Sequence, residues 1–238
     1  MEAPVFRENF AVRGYDVLKR DIIRGVFKPG EKLLMSGLKE RYGLGVGPLR
    51  EALSQLVAER LVVAISQRGY RVAAMSLGEL ADIYDARANL EAMLLTLAIE
   101  RGDDSWEAEI LARAHTLAKV VEVRNAEEML SLWDARHKAF HEAIVAGCGS
   151  PHLLQVRAYL FDQAERYRHL WLQHTVFSEQ ALLAKREEHA LLVEAILARD
   201  AERASRFMRE HLLGPVPIIT ELMKVRGLAG LDATAPHR

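Results

Sequence analysis

The sequence SGLKERYGLGVGPLREALSQLVAERL spans residues 36–61, and VVAISQRGYRVA follows it over residues 62–73. The first run predicts a helix, a tight glycine turn and a second helix, and the second run predicts a hairpin of two short strands. A second helix that is held by the first across a short turn can enter the major groove of DNA. The pattern therefore predicts a winged helix-turn-helix that binds DNA.

The segment before this motif predicts one more helix. An apolar stripe over residues 13–25 has helical period, whereas residues 1–12 show no clear period and are expected to form a mobile arm. Ser36 is expected to cap the second helix, and Pro48 is expected to begin the third. The predicted turn contains Gly43, Gly45 and Gly47, and the predicted buried stripe of the third helix contains Leu49, Ala52, Leu53, Leu56 and Val57.

Composition indicates a globular protein of one or two domains. Half of the 238 residues are hydrophobic, which is ample for a core. No apolar run approaches the ~18 residues of a membrane span, and no secretory signal pattern is present. The single Cys148 excludes an internal disulfide framework and suits a reducing cytoplasm, which is the expected location.

The charge is unevenly distributed along the chain. The formal net charge is −1, but residues 1–75 carry 13 Lys and Arg against 8 Asp and Glu, a net charge of +5. Residues 76–238 carry 19 against 25, a net charge of −6. The basic part can therefore approach DNA phosphates, while the acidic part is expected to stay off the duplex.

The chain beyond a linker at residues 75–78 is almost entirely helical in pattern. The predicted fold is mostly α, with a winged helix-turn-helix domain at residues 1–75 and an all-α helical bundle at residues 76–227. Residues 228–238 are expected to be a disordered tail. The predicted bundle helices cover residues 77–101, 104–124, 126–146, 150–174, 178–198 and 200–222, with Pro215 and Pro217 ending or kinking the last one.

Four of the nine histidines are suggestively spaced. His137 and His141 are four residues apart, so their rings lie on one helix face. His189 and His211 flank a predicted helix break at Asp200, and an antiparallel helix pair that turns there would set both rings at equal height. Three helices could thus aim four imidazoles, which are good zinc, nickel, cobalt or copper ligands, at one point. From spacing alone, ordinary core histidines remain the alternative.

Arg87 and Glu91 form a further pair at helical spacing. From spacing alone, a solvated surface pair is favoured. The alternative is that Arg87 points into the bundle and holds a carboxylate. Arg157, Arg166 and Arg168 are candidates of the same kind.

Three segments of the basic part resemble the winged-helix domain of GntR-type regulators. They are Lys28-Pro-Gly-Glu-Lys-Leu, Gly47-Pro-Leu-Arg-Glu-Ala-Leu-Ser-Gln-Leu and Arg68-Gly-Tyr-Arg-Val. The resemblance implies base contacts by Arg50 and Arg68, and Gly69 would allow close approach at the wing tip. Many relatives carry Arg where Val46 stands here, so operator preference is expected to differ. The implied DNA-binding set is Ser36, Lys39, Arg41, Val46, Gly47, Arg50, Arg68 and Gly69.

The helical part resembles the FCD ligand-binding domain of the FadR branch of that family. The segments that carry the resemblance are Arg87-Ala-Asn-Leu-Glu, Phe140-His, Glu188-His and Glu210-His. The resemblance implies a metal site in which three His and one Asp are ligands. His141, His189 and His211 match the His positions, but His137 stands in place of the Asp, so either His137 or Asp134 would complete the set. A site of four His would favour zinc or nickel over magnesium or calcium.

Residues 44–61, 140–150 and 215–219 resemble, more specifically, the glutarate-responsive repressors within this family. This resemblance implies a repressor of glutarate and lysine catabolism that glutarate releases from DNA. Arg87 matches a family Arg near the effector, which reverses the preference that spacing gave, and Arg157 and Arg166 complete the expected effector-binding set. The alternative is an FCD-type regulator that responds to lactate, a sugar acid or another dicarboxylate.

The expected assembly is a homodimer on a near-palindromic operator, because two-fold symmetry of the protein is mirrored in the DNA. A metal hydrolase is the first rival hypothesis, but no obvious general base stands beside the His set and the winged helix would be unexplained. An architectural DNA binder is the second, and the size and acidity of the helical part argue against it. The chain is therefore expected not to be an enzyme.

Overall fold

The structure is a computed structural model that describes residues 9–66 and 68–228. The described residues form two compact units, which divide between Ser76 and Leu77. Most of the predicted N-terminal arm and almost all of the predicted C-terminal tail lie outside the described residues. The mostly α fold that the sequence predicts is confirmed.

The first unit is a winged helix-turn-helix. Its sheet has the strand order β1-β3-β2 and is antiparallel, with Val62 opposite Val72 and Ile65 opposite Gly69 at the hairpin end. Gly69 has φ +90°, a backbone conformation that glycine adopts without the strain that a Cβ would bring. The elements in chain order are α1 (Phe10–Ile23), β1 (Lys32–Leu33), α2 (Met35–Tyr42), α3 (Val46–Ala58), β2 (Val62–Ile65) and β3 (Gly69–Val72).

An apolar core joins the three helices and the sheet of this unit. Leu49, Ala52, Leu53 and Leu56 on α3 are fully buried, as the stripe predicted, and Leu18 and Ile22 of α1 pack into the same cluster. Removing this much aliphatic surface from water is the main source of stability for so small a domain. The exposed face of α3 is thereby fixed relative to the wing.

Three predicted boundaries in this unit are wrong. The first helix starts at Phe10 because the Asn9 side chain accepts hydrogen bonds from the first turn. Ser36 does not cap α2 but lies inside it, since α2 begins at Met35, whose side chain packs against the core cluster. The third helix starts at Val46 rather than Pro48, since a Pro within the first turn lacks only an N–H that has no helical partner.

The second unit is an all-α bundle. Helix α4 packs against α7, α8, α10 and α11, while α5 packs against α7 and α9. Asn125, Ser150, Ser178 and Asp200 each cap the helix that follows with a side-chain oxygen. The helices are α4 (Leu77–Arg101), α5 (Asp104–Ala118), α6 (Ala126–Glu128), α7 (Ala135–Ala146), α8 (Pro151–Leu172), α9 (Glu179–Leu197), α10 (Ala201–Leu213) and α11 (Val216–Val225).

The bundle differs from the predicted pattern in two places. Helix α5 ends at Ala118 instead of residue 124, where the β-branched Val120, Val121 and Val123 disfavour helix and two of them are buried. Between α6 and α7, residues Met129–Asp134 form a π-helical stretch, which leads directly into the helix that carries His137. Such stretches are frequent at functional sites.

The predicted break near Pro215 is present, between α10 and α11. Within the part of the chain that the structure describes, no helix has both the length and the apolar character needed to cross a membrane.

Candidate functional site

Four imidazoles meet in the core of the helical unit. His137 and His141 project from α7, His189 from α9 and His211 from α10, and one nitrogen of each lies within 4.8 Å of the others. The α9–α10 pair turns at residues 198–200, with Arg199 in the left-handed region at φ +55°. The rings of His189 and His211 are consequently 4.8 Å apart between centroids. The convergence that the spacing predicted is confirmed.

The ring nitrogens of this cluster cannot satisfy one another with hydrogen bonds alone. The Nε2 atoms of His137, His141 and His211 lie 3.1–3.2 Å from each other, and each neutral ring has one N–H to donate. The Nε2 atom of His189 is buried without a hydrogen-bond partner among the described residues. Nitrogens bound to one tetrahedral zinc ion lie about 3.3 Å apart. The cluster could therefore hold a metal ion, and its donor set suits a borderline-soft one.

Burial favours the neutral form that metal binding needs. Burial holds the pKa of His137, His141 and His189 well below the ordinary value, and neighbouring cationic and His side chains lower it further. Burial also lowers the pKa of His211, although Glu188 opposes the shift. The four rings are thus uncharged near neutral pH, so that their lone pairs are available.

Charged side chains orient two of the rings from opposite sides. Glu188 Oε2 lies 3.2 Å from His211 Nδ1, and the hydrogen bonds from His211 and Lys185 lower the pKa of Glu188 to about 2. On the other side, Arg168 Nη2 lies 3.2 Å from His137 Nδ1. Arg168 also contacts Asp134, so Asp134 acts on His137 through Arg168. Asp134 is not among the residues whose ligand atoms converge, which are the four histidines. The structure therefore does not support Asp134 itself as a metal ligand.

The π-helical stretch supplies a wall to the cluster. Trp133, at its end, stacks on His137 with ring centroids 4.7 Å apart and an interplanar angle of 22°. Phe177 packs edge-on against the same indole. The stretch therefore positions both an aromatic wall and the carboxylate that holds Arg168.

A cavity of about 30 Å³ opens beside the cluster. Its charged lining is cationic, from Arg87, Arg168 and Lys185, and no Asp or Glu is among its lining residues. Burial raises the pKa of Tyr84, another lining residue, to about 12, although the nearby Arg87 and Arg168 lower it in part. The complete lining is Tyr84, Arg87, Trp133, His137, Arg168, Trp171, Lys185, His211, Leu212 and Pro215.

Only one of the three predicted effector-binding arginines lines this cavity. Arg87 does so, and it is buried as the resemblance implied rather than solvated as spacing alone favoured. Arg157 instead donates to Glu91 at 2.9 Å from its Nε atom. Arg166 is buried in α8 away from the lining, within reach of the Glu79 charge. The sequence could not separate these arginines because the way the helices pack decides which side chains meet at one cavity.

The predicted DNA-binding residues are all exposed to solvent in the winged unit. Arg50 and Val46 lie on the exposed face of α3, and Arg68 and Gly69 lie at the tip of the hairpin. Arg41 is partly tied down, with its Nε atom 3.6 Å from Asp21 and its guanidinium 5.3 Å from the Phe27 ring centroid. All eight candidates are exposed: Ser36, Lys39, Arg41, Val46, Gly47, Arg50, Arg68 and Gly69.

Known families match both units. The pattern described as bacterial regulatory proteins, gntR family, matches residues 11–72, and the FCD domain matches residues 82–214. The chain belongs to the gntR family and carries an FCD domain. It is a DNA-binding transcriptional regulator and not an enzyme.

Relatives of this gntR-family regulator match over most of its length. It is 62% identical over 210 residues, 88% of this chain and 96% of the relative, to the HTH-type transcriptional repressor GlaR of Escherichia coli (strain K12). It is 34% identical over 211 residues to the uncharacterized HTH-type transcriptional regulator BphR of Paraburkholderia xenovorans (strain LB400), covering 88% of this chain and 84% of BphR. The solved structure of E. coli McbR/YncC aligns with TM-score 0.73 and 22% identity over 90% of this chain and 99% of that one, which supports the fold.

Two residues of the FCD-domain site were missed or underrated from the sequence. Lys185 lines the cavity, and its position four residues before His189 on α9 was a usable signal. Arg168 contacts a ring of the cluster, but only the three-dimensional structure distinguishes it from Arg166 two residues earlier. Arginines two residues apart on one helix lie on different faces, and the sequence does not say which face meets the site.

Proposed function

We propose that this gntR-family regulator represses genes of glutarate and lysine catabolism and leaves its operator when glutarate binds in the FCD domain beside a bound zinc or nickel ion. The observation that carries the proposal is the cationic cavity next to the four histidines. One carboxylate of a small diacid would lie at the His cluster, and the other would lie against Arg87. The metal, when bound, supplies a positive charge for the first carboxylate.

The lining supports an anionic ligand in particular. Three cationic side chains and no acidic ones face the cavity. The Tyr84 hydroxyl and the Trp171 indole N–H both belong to lining residues, and both are buried with no hydrogen-bond partner among the described residues. A buried donor without a partner is costly, and carboxylate oxygens would satisfy both groups.

Arg87 is available to such a ligand. Its Nε atom lies 3.5 Å from Glu91 Oε1, a long and weak contact. Arg157 holds the other oxygen of Glu91 at 2.9 Å. If Arg87 turns toward a ligand, Glu91 therefore keeps a charged partner and is not left buried alone. In this proposal Arg157 supports the site indirectly and does not contact the effector.

The size of the cavity suggests how binding would be transmitted. A volume of about 30 Å³ is roughly the share of one water molecule in the liquid. A five-carbon diacid is larger, so we propose that it displaces lining side chains as it enters. A ligand that fits one arrangement better than another shifts the population toward it. We propose that the favoured arrangement misplaces the two winged helices of a homodimer relative to a near-palindromic operator.

The DNA-binding side of the proposal follows from the exposed face of α3 and the wing. Arg50 and Arg68 would contact bases, while Ser36, Lys39 and Arg41 would lie on or near phosphates. Because Val46 has no hydrogen-bonding group, base reading at that point would rely on apolar contact. A repressor of this kind acts on chromosomal DNA, so we place it in the cytoplasm.

Calorimetry tests the sensor. Zinc-loaded protein and chelated protein are titrated with glutarate, succinate, adipate and lactate, and release is followed by fluorescence anisotropy on an operator selected from random DNA. We expect glutarate to bind best, to bind more weakly after chelation, and to reduce operator affinity by about 30–150-fold, a coupling of roughly 2–3 kcal/mol. The His152→Ala variant, which changes an exposed histidine outside the cluster, serves as the control.

Absence of glutarate binding by zinc-loaded protein would reject glutarate as the effector. Equal binding with and without metal would reject the metal-assisted mechanism. Preferential binding of another acid would keep the cationic cavity as the sensor but change the ligand.

A further inference from the structure

We infer that metal ions reach the four histidines, and leave them, through a cavity of about 250 Å³ between α9 and α10, and that the exposed Glu210 carboxylate in its lining draws them in. This inference rests on the proposed function, since it assumes a bound metal ion. It gives a task to Glu210, which neither the DNA-binding set nor the effector site uses.

The first observation concerns the exposure of the rings. Three members of the cluster are buried, whereas the His211 side chain is 10% exposed. His211 lines the small cavity beside the cluster, and it also lines the larger cavity between α9 and α10. His211 is therefore the member of the cluster that solvent reaches most easily.

The two cavities differ in their access to solvent and in their size. None of the described lining residues of the small cavity is exposed, whereas Glu188, Leu191, Glu210 and Gly214 in the lining of the larger one are exposed. A divalent ion with six waters occupies roughly 180 Å³, at about 30 Å³ for each water. The larger cavity has room for such an ion, and the small one, with about 30 Å³, does not. A hydrated ion can therefore approach His211 only from the larger cavity.

The charges of the larger cavity attract a cation. Its charged lining consists of Lys185, Glu188 and Glu210. The Lys185 Nζ atom lies 2.7 Å and 3.1 Å from the two oxygens of Glu188, so these two charges offset each other. Glu210 has no ion-pair partner among the described residues, and its negative charge remains. A cleft of one sign raises the local concentration of the opposite ion and the rate of association.

The small cavity has the opposite sign. Its charged lining is cationic and carries no carboxylate among the described residues, so it repels a metal ion as strongly as it favours an anionic effector. The metal and the effector are thus drawn toward cavities of opposite charge that both border on His211.

A groove between α5 and α9 is the rival route. It has a volume of about 510 Å³, and its lining includes His189. The charges of Arg186 and Glu194 in this lining offset each other, and most other lining residues are apolar, such as Leu117 and Val193. A hydrated ion loses water against apolar walls without gaining polar contacts. Charge and hydration therefore favour the cavity between α9 and α10.

Stopped-flow uptake of cobalt by the metal-free full-length protein tests the charge. Cobalt binds imidazole nitrogens, and its visible absorption reports binding. Glu210→Gln should lower the association rate constant by about threefold to tenfold at low salt, and the deficit should nearly vanish at about 1 M salt, where charges are screened beyond about 3 Å. Glu202→Gln, an exposed change two turns earlier in α10, should leave the rate unchanged.

A side chain at Gly214 tests the passage itself. Gly214 has φ −51° and ψ −39°, and a Cβ there would lie 3.4 Å from the nearest atom outside its chain neighbours, the Glu210 carbonyl oxygen, so a larger residue fits the backbone. Gly214→Met should slow cobalt uptake by tenfold or more, and it should slow cobalt loss, measured by displacement with excess zinc, by the same factor. The equilibrium affinity should stay unchanged, because a constriction raises the barrier equally in both directions.

Two further substitutions serve as matched controls for Gly214→Met. Gly78→Met adds the same side chain where a Cβ would meet nothing within 4 Å, and it should alter neither rate. Ala190→Met places the side chain in the groove between α5 and α9, and it should also alter neither rate.

Several results would overturn the inference. Unchanged rates in Glu210→Gln and Gly214→Met would do so, and so would slowing by Ala190→Met instead. A lower affinity of Glu210→Gln with an unchanged association rate would show that Glu210 stabilises bound metal and does not guide its entry. In all these cases the wild type still binds metal, whereas wild-type protein that binds neither cobalt nor zinc at equilibrium would contradict the proposed function itself.

Discussion

The two units of this regulator differ in how many polar and charged residues they bury. In the described part of the winged unit, Asp21 is the one charged or polar residue that is buried, and all eight candidate DNA-binding residues are exposed. In the described part of the helical unit, twelve such residues are buried, five of them charged groups or histidines next to the cavity. Reading DNA needs a rigid surface, whereas sensing a small anion needs a desolvated site.

This difference has an energetic consequence. A dry core of Leu and Val converts burial directly into stability. Buried charges are stable only when they are paired, and they seldom stabilise a fold more than apolar residues of the same size would. Under the proposed function these buried charged groups bind the ligand. Substitutions among them should therefore impair ligand binding, whereas substitutions in the apolar core of the winged unit should impair folding.

The largest effect is expected from removing two rings of the cluster. The His189→Ala, His211→Ala double variant should lose zinc affinity by well over a hundredfold, because it removes two metal ligands. Removal of a group that only hydrogen-bonds to a ligand already costs about tenfold to a hundredfold. Operator release by glutarate should be lost, as measured by anisotropy. The matched control is His115→Ala, His152→Ala, which changes two exposed histidines. A double variant that binds operator and still responds fully to glutarate would show that the metal has no role.

The next effect should appear in the dry core. Leu53 is fully buried in α3, and Leu53→Ala should reduce the free energy of unfolding by about 2–5 kcal/mol through lost burial and the cavity left behind. Urea denaturation of the variant and the wild type measures this loss, and a separate operator-binding assay shows whether the folded variant still binds DNA. Val12→Ala, in the exposed face of α1, should change stability little. Equal losses in the two variants would contradict the assignment of this core.

A smaller effect is expected at the carboxylate that orients His211. Glu188→Gln should weaken zinc binding by about 10–100-fold, because the hydrogen-bond partner of a ligating ring fixes its orientation. The pKa of Glu188 is lowered to about 2, so the charged contact exists above the ordinary Glu pKa and is lost only as pH falls toward that value. The deficit should accordingly stay constant around neutral pH. Glu187→Gln, a change at the exposed neighbouring residue, is the control. If it weakens zinc binding equally, Glu188 does not orient His211.

The smallest effect is expected at a phosphate contact. Lys39→Ala should lower operator affinity a few-fold and reduce the slope of log affinity against log salt by about one, with unchanged sequence preference. Arg50→Ala should instead relax preference at one base pair by about 1–3 kcal/mol. Competition binding with single-base operator variants distinguishes the two. If both variants weaken all sequences uniformly, Arg50 does not contact a base.

Sequence patterns were most informative where structure is local. The stripe on α3 and the wing hairpin depend on neighbours within a few residues, and both are present as predicted. The turn is shorter than predicted, because Gly47 already lies in α3. The predicted start of α2 was wrong, since Met35 is already helical and its side chain packs against the core. The π-helical stretch Met129–Asp134 had no sequence signal, because it depends on how Trp133 and Asp134 meet α8.

The sequence by itself determined the winged helix, the helical bundle and the four histidines that converge, because periodicity and spacing fix which residues share a helix face. Only the tertiary structure decided which charged groups surround those rings. Arg168 and Glu188 approach His137 and His211 from other helices, so the Nδ1 atom of one ring faces a guanidinium and that of the other faces a carboxylate. Such a difference is a property of three-dimensional contacts, and no spacing along one helix contains it.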